Sequence, residues 1–264
     1  MALMDLLYWF GGKRPLRNQI IPFIVPLIKD VREFRDPFCG SAAIALPLMS
    51  LYPNRTFWIN DRDPAVACVW FAVKHYPDEL IELVESFRPD VNDFRGFRET
   101  IATTFCPPTE QKQIVELAFC MLAVQYMCWS GWGVGVRGGY GQRYDRIGER
   151  WSPKLTIRKI RFLHRRLNRV ETRITAFDFG RLVEETQERA LLYCDPPYIR
   201  AGSQYRYGFS LADHERLAEI LRRTPHHWVL SYGDHPEIHR MYQWARIERI
   251  TEKELLIMPM RVSY

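Results

Sequence analysis

An apolar run that ends in an aspartate and a turn residue, and then gives way to a helix, occurs twice in the first 75 residues. That order does most to decide what the chain can fold into. "VREFRDPFCGSAAIALPLM" passes from a short strand through a glycine turn into a helix of small residues. "RTFWINDRDPAVACVWFAV" repeats the scheme, with a strand ending at Asp61 and a helix starting after Pro64, a favoured first-turn position. Strand, turn, helix, strand is the opening of a parallel sheet, so the expectation is an α/β fold of Rossmann-like type.

From Tyr76 to Leu155 the rhythm stops. "PDELIELVESFRPDVNDFRGFRETI" and "EQKQIVELAFCMLAVQYMCW" read as helices, and "SGWGVGVRGGYGQRYDRIGERW" is glycine-rich and irregular. Alternation resumes with a basic helix, "TIRKIRFLHRRLNRV", followed by "RITAFDF", "ALLYCDPPY" and "HWVLSYG" as strands separated by helical stretches. The C-terminal "ARIERITEKELLIMPMRVS" could add further strands. The expected organisation is one domain from residues 1–75 and 156–264, interrupted by a mainly helical insertion over 76–155. Ahead of the first strand, "IIPFIVPLI" reads as a short helix broken by Pro22 and Pro26.

Charge is unevenly spread. Between Arg137 and Arg173 twelve Lys and Arg residues meet only Asp145, Glu149 and Glu171, against a net charge of +6 for the whole chain. Such a zone suits a polyanionic partner, with a solvated helix face as the plain alternative. The six cysteines have no C-x-x-C spacing and several sit in apolar runs, as small hydrophobes do in a reducing compartment. The apolar N-terminus is interrupted by Asp5 and lacks a basic leader, and no run reaches the ~20 apolar residues of a membrane span. A soluble, cytoplasmic protein is expected.

In open α/β sheets ligands bind beyond the carboxyl ends of the strands. Asp36, Asp61, Asp178 and Asp195 stand at four such ends, and Gly40 lies where backbone would approach a ligand. Asp61 follows the glycine turn at the distance where an acid accepts both hydroxyls of a nucleotide ribose. For each aspartate alone, helix capping is the competing explanation. "LLYCDPPYI" is the most telling stretch, because Pro196 and Pro197 cannot continue a strand in mid-sheet. Asp195 and a carbonyl held by the proline pair can accept the two hydrogens of an exocyclic amine, aiming its lone pair outward. The carboxylate also stabilises positive charge growing on the nitrogen, and Tyr198 offers a flat face for a base.

"DPPY" at 195–198, "DPFCGS" at 36–41 and "YWFGGKR" at 8–14 resemble, in that order, the motifs of Dam-type DNA adenine N6-methyltransferases. The resemblance covers nearly the whole chain, and the insertion falls where that family places its target-recognition region. It implies S-adenosylmethionine as cofactor and an adenine flipped out of double-stranded DNA as substrate. Trp9 and Lys13 would hold the cofactor near its methionine end, Asp36 would face its amino or sulfonium end, and Asp61 its ribose. Asp178 would contact its adenine, with Tyr8, Phe38, Gly40 and Phe179 in the same cofactor set. Asp195 would lie between cofactor and target amine, with Pro196 and Pro197 fixing it and Tyr198 stacking on the flipped base. Tyr8 stands where many of these enzymes carry a lysine.

DNA contacts are expected from Trp132, Arg137, Tyr140 and Arg143 in the glycine-rich loop and from Arg158 and Lys159 on the basic helix. No metal or membrane is called for, and a monomer is compatible with a sequence that does not itself fix the oligomeric state. "GVGVRG" at 133–138 matches a dinucleotide fingerprint in letters only, because it follows a helix rather than a strand. His235 and His239 lack the glutamate spacing of a zinc motif, and "FCMLAVQYMCW" reads as core. The rival activity is N4-cytosine methylation, for which a serine at 195 would be the sign. RNA or protein-amide methylation would favour an asparagine there, and the non-enzymatic rival is a DNA-binding relative that has lost catalysis.

Overall fold

The computed structural model describes residues 5–7, 12–128, 147–199 and 206–260. At its centre is a seven-stranded sheet. Its strands are β1 (Glu33–Asp36), β2 (Thr56–Asn60), β3 (Thr172–Thr175), β4 (Ala190–Cys194), β5 (His227–Gly233), β6 (Arg246–Arg249) and β7 (Glu254–Met258). Their spatial order is β3-β2-β1-β4-β5-β7-β6. The first five are mutually parallel, while β7 runs antiparallel to β5, and β6 to β7. Strand order reverses between β1 and β4, which makes the crevice beyond their carboxyl ends the natural ligand site. Every residue of β4 and β7 is buried, as near-continuous apolar runs covered on both faces should be.

Ten helices lie in the described residues: α1 (Arg17–Ile28), α2 (Ala45–Leu51), α3 (Pro64–His75), α4 (Pro77–Ser86), α5 (Val91–Thr103), α6 (Gln111–Met127), α7 (Pro153–Arg169), α8 (Phe179–Glu184), α9 (Leu211–Arg223) and α10 (Pro236–Met241). The sequence expectation of a broken first helix is corrected, since α1 is continuous through Pro22 and Pro26. Both prolines are exposed, so the carbonyls they leave unpaired face water. The opposite stripe, Ile20, Ile24 and Ile28, is fully buried and secures the helix by packing.

Helices α4, α5 and α6 fall in the insertion, yet their apolar faces join the same core as α1, α2, α3 and α7. In α6, every residue from Leu117 to Met127 is buried, so the sulfur- and aromatic-rich stripe is packing material. All six cysteines are free thiols and five are buried. No described helix is long and apolar enough to cross a membrane.

A buried arginine ties the sheet to the chain entering β4. Arg35 donates to Glu33 Oε2 (2.7 Å), Leu182 O (2.8 Å) and Glu185 O (2.6 Å). Its guanidinium lies 5.4 Å from the ring of Trp58, its register partner on β2. His226 accepts from Ala190 N through Nδ1, so Nε2 carries the hydrogen and donates to Glu185 O. Arg35→Ala should lower the unfolding free energy by about 3 kcal/mol in urea titrations, because it leaves the buried Leu182 carbonyl and the Glu33 carboxylate without their donor, while Glu185 O keeps His226. A loss under 1 kcal/mol would count against this role.

Candidate active site at the carboxyl edge of the sheet

The crevice is built by turns that the sequence places directly after apolar strands. Gly40 has φ 45° and Ala42 φ 52°, so the turn after β1 uses the left-handed region twice. At Gly40 this costs little; at Ala42 it is strained. Trp70 Nε1 donates to Gly40 O (2.9 Å), and Cys39 N donates to Asn60 O (2.8 Å), which fix that turn.

Asn60, to which no motif in the sequence points, clamps two turns together. Its amide donates to Pro37 O and Phe177 O, both at 3.0 Å, and its Oδ1 accepts from Thr175 Oγ1 and Phe177 N, both at 2.7 Å. Only its place as the last residue of β2 signals this.

Three of the four strand-end aspartates are functional candidates rather than caps. Asp61 accepts from Gly40 N (3.0 Å) and Asp63 N (2.9 Å), and burial with the nearby Asp63 charge pushes its carboxyl up to about 7. Asp63 caps α3 and pairs with Arg206 at 3.2 Å. Asp36 is buried, and its Oδ1 has no hydrogen-bond partner. Burial, then the charges of Asp195 and Asp61, raise its carboxyl well above the ordinary range. Asp195 is raised by burial, against the opposing pull of Lys13, whose Nζ lies 2.7 Å from its Oδ1. Asp178 is the exception and supports the capping explanation. It caps α8 through Gly180 N (2.9 Å) and pairs with Arg216 (2.7 Å).

Tyr198 is held on three sides. Its hydroxyl donates to Glu254 Oε1 (2.5 Å), and Lys13 Nζ lies 4.7 Å from its ring centroid. A Cβ at Gly233 would come within 2.9 Å of ring Cδ2. Burial pushes the Glu254 carboxyl up to about 7. Neither Glu254 nor Gly233 belongs to a motif visible in the sequence. Phe38, Phe179 and Phe209 form a triangle with centroids 5.4–5.7 Å apart, and only Phe38 is more than marginally exposed.

Asp36, Asp61 and Asp195 stand close enough to act on one another's charge, and the unpaired buried oxygen of Asp36 among them is suited to a cation. Lys13 is the ammonium that faces Asp195 there. S-adenosylmethionine carries a sulfonium and an ammonium, and the residues fit it.

The D12 class N6 adenine-specific DNA methyltransferase family matches this chain over residues 9–256. The chain belongs to that family. This D12-class enzyme is an adenine-specific DNA methyltransferase, acting on N6. It is 26% identical over 254 residues to the type II methyltransferase M1.LlaDCHI of Lactococcus lactis subsp. cremoris, covering 92% of this chain and 85% of that protein. It is 23% identical over 255 residues to a DNA adenine methylase of Vibrio cholerae serotype O1, covering 91% and 85%. Among solved structures, the rRNA methyltransferase aviRa of Streptomyces viridochromogenes aligns at a TM-score of 0.43 and 12% identity, covering 98% of this chain and 91% of that one.

In this D12-class chain Lys13, Asp36, Phe38, Gly40, Asp61, Pro196, Pro197 and Tyr198 all lie in segments that end at the carboxyl edge with Asp195. Tyr8, Trp9, Trp132, Arg137, Tyr140, Arg143 and the "GVGVRG" stretch lie outside the described residues. Lys159 is corrected. It is buried, donates to Tyr126 Oη (3.0 Å) and cannot reach a phosphate, whereas its neighbour Arg158 is exposed. His235 caps α10 and His239 pairs with Asp234, so the two histidines serve separate structural roles.

Proposed function

We propose that the enzyme takes its methyl group from S-adenosylmethionine and delivers it to an adenine turned out of double-stranded DNA into the crevice beyond β1 and β4. The observation that carries this reading is the unpartnered buried oxygen of Asp36 beside Asp195. Asp36 would accept from the cofactor's ammonium, Asp61 from its ribose hydroxyls, and Phe38 with Phe179 would flank its base. When bound, that cofactor supplies an electrophilic sulfonium methyl.

The chain's own residues do the rest. Asp195 accepts a hydrogen of the adenine amine, orients its lone pair and stabilises the charge that grows on nitrogen. A carboxyl raised by burial is also a competent acceptor for the proton N6 must lose. Pro196 and Pro197 limit the freedom of that acceptor, and the Tyr198 ring supports the extruded base. Residues 76–155 would form the target-recognition region, with Trp132, Arg137, Tyr140 and Arg143 on DNA. A pairing with a restriction enzyme would fit the likeness to a type II methyltransferase.

The test is direct. Unmethylated duplex DNA incubated with labelled S-adenosylmethionine, digested to nucleosides and resolved by mass spectrometry, should yield N6-methyladenine. N4-methylcytosine, or no label in DNA, would overturn the reading.

The basic helix supplies a second interface with DNA. Lys154, Arg158, Arg161, Arg165 and Arg169 are exposed and fall on one face of α7 at spacings of three and four residues. A helix feeding a parallel strand runs back from the ligand edge, and His164 lies 3.1 Å from carbonyls at the far end of α3. The stripe therefore starts near the crevice and descends the flank. Changing Arg158, Arg161 and Arg165 to Gln should flatten the salt dependence of DNA binding by about 0.9 in log–log slope for each phosphate no longer neutralised. An unchanged slope would remove α7 from the DNA interface.

A further inference from the structure

Lys13 competes with a target amine for Asp195 Oδ1. The ammonium lies 2.7 Å from Asp195 Oδ1, on the group that the amine's hydrogen must reach. A second carboxylate stands behind it, with Glu254 Oε1 3.7 Å from the same nitrogen. Lys13 and Glu254 are both buried. A displacement of about 1 Å, the difference between those two distances, would exchange one partner for the other. The same Glu254 oxygen accepts from the Tyr198 hydroxyl at 2.5 Å, a charge-assisted bond that fixes the tilt of the ring.

The strand pairing explains why both constraints meet there. Glu254 opens β7 and is the register partner of Gly233, which closes β5. One residue of the pair gives the Tyr198 ring bare backbone to lie against, and the other gives its hydroxyl an acceptor. Among the described residues Lys13, Tyr198, Asp195 and Tyr193 face Glu254. A buried acid is costly unless it is paired, and among the described residues this one is paired with Lys13 and Tyr198.

We propose that Glu254 is a positioning residue for methyl transfer, holding the Tyr198 ring by its hydroxyl and receiving the Lys13 ammonium when the target amine takes its place on Asp195. The inference rests on the assignment of Asp195 and Tyr198 to the target adenine. No bond is made or broken at Glu254.

Steady-state methylation of unmethylated genomic DNA with labelled S-adenosylmethionine tests it. Glu254→Gln keeps an oxygen for the Tyr198 hydroxyl but removes the charge. It should lower kcat about 10- to 100-fold while KM for cofactor and DNA moves less than about threefold. Lys13→Met removes the ammonium that needs a second seat, so Lys13→Met/Glu254→Gln should match Lys13→Met alone. Tyr198→Phe should lower kcat about threefold to tenfold with cofactor affinity intact, and it carries the test if Glu254→Gln does not fold. A Glu254→Gln kcat within twofold of the parent, or losses that multiply in the double variant, would overturn the proposal. Asp195→Asn run alongside separates the two readings. Full activity there would sink the Asp195 assignment itself, whatever Glu254 does.

Discussion

Asp195→Asn is expected to lower kcat by about 10²–10³-fold while leaving cofactor and DNA affinity close to the parent's. Asparagine keeps the shape and one acceptor oxygen but loses the charge that stabilises a positive nitrogen. The same change should not unfold the protein. Asp195 raises the carboxyl of Asp36 by its charge, so its neutralisation relieves a repulsion among buried acids. Lys13 keeps Glu254 as a partner at 3.7 Å. Rapid-quench measurement of the chemical step, with a melting curve of the same preparation, checks both halves. A variant with parental kcat would remove Asp195 from the reaction. One that is inactive but also melts far below the parent would leave the electrostatic argument unsupported, and a Lys13→Met/Asp195→Asn pair would then restore folding if the lost ion pair is the cause.

What can be read from the sequence follows a physical division. The strand ends at Asp36, Asp61 and Asp195 are legible because each couples an apolar run to a residue that stops it, and parallel sheets put such ends on one edge. The capping alternative cannot be settled locally. It holds for Asp178 and fails for Asp36, and the difference is burial by distant segments. Glu254 is illegible for a related reason, since an acid ahead of "LLIM" reads as a strand flank until the β5–β7 register places it opposite Gly233. Proline at 22 and 26 misleads because the local rule counts a lost hydrogen bond and omits the buried isoleucine stripe that outweighs it.

Lys159 misleads for a different reason. It shares a buried face with Thr156, Ile160, Leu163 and Leu167, a helical spacing present in the letters. Its charge makes it look like the exposed arginines beside it. Periodicity outranks charge at that position, because a lysine can bury its stem and ammonium where a phenol accepts, as Tyr126 does.

Asp36→Asn should weaken S-adenosylmethionine binding about 10- to 100-fold, the range for losing a hydrogen bond to a charged group. In the ligand-free protein it should do the opposite for stability. A carboxyl whose folded pKa is raised contributes stability below its unfolded value of roughly 4, and that contribution is lost as pH rises through the folded value. Asp36 is displaced well above the ordinary carboxylate range, by burial first and then by the charges of Asp195 and Asp61, so its contribution follows this sign. Asp36→Asn should therefore gain on the parent in melting temperature as pH rises, with the gain shrinking towards pH 5. The linked prediction concerns the parent enzyme. A cationic ligand holds these carboxyls ionised, so binding near pH 6.5 should release protons and tighten as pH rises to 8. Calorimetry in phosphate and in Tris separates the proton release from the binding heat through the different ionisation enthalpies of the buffers. Asp36→Asn should reduce that release, whereas an equal release in parent and variant would show that Asp36 does not face the cation.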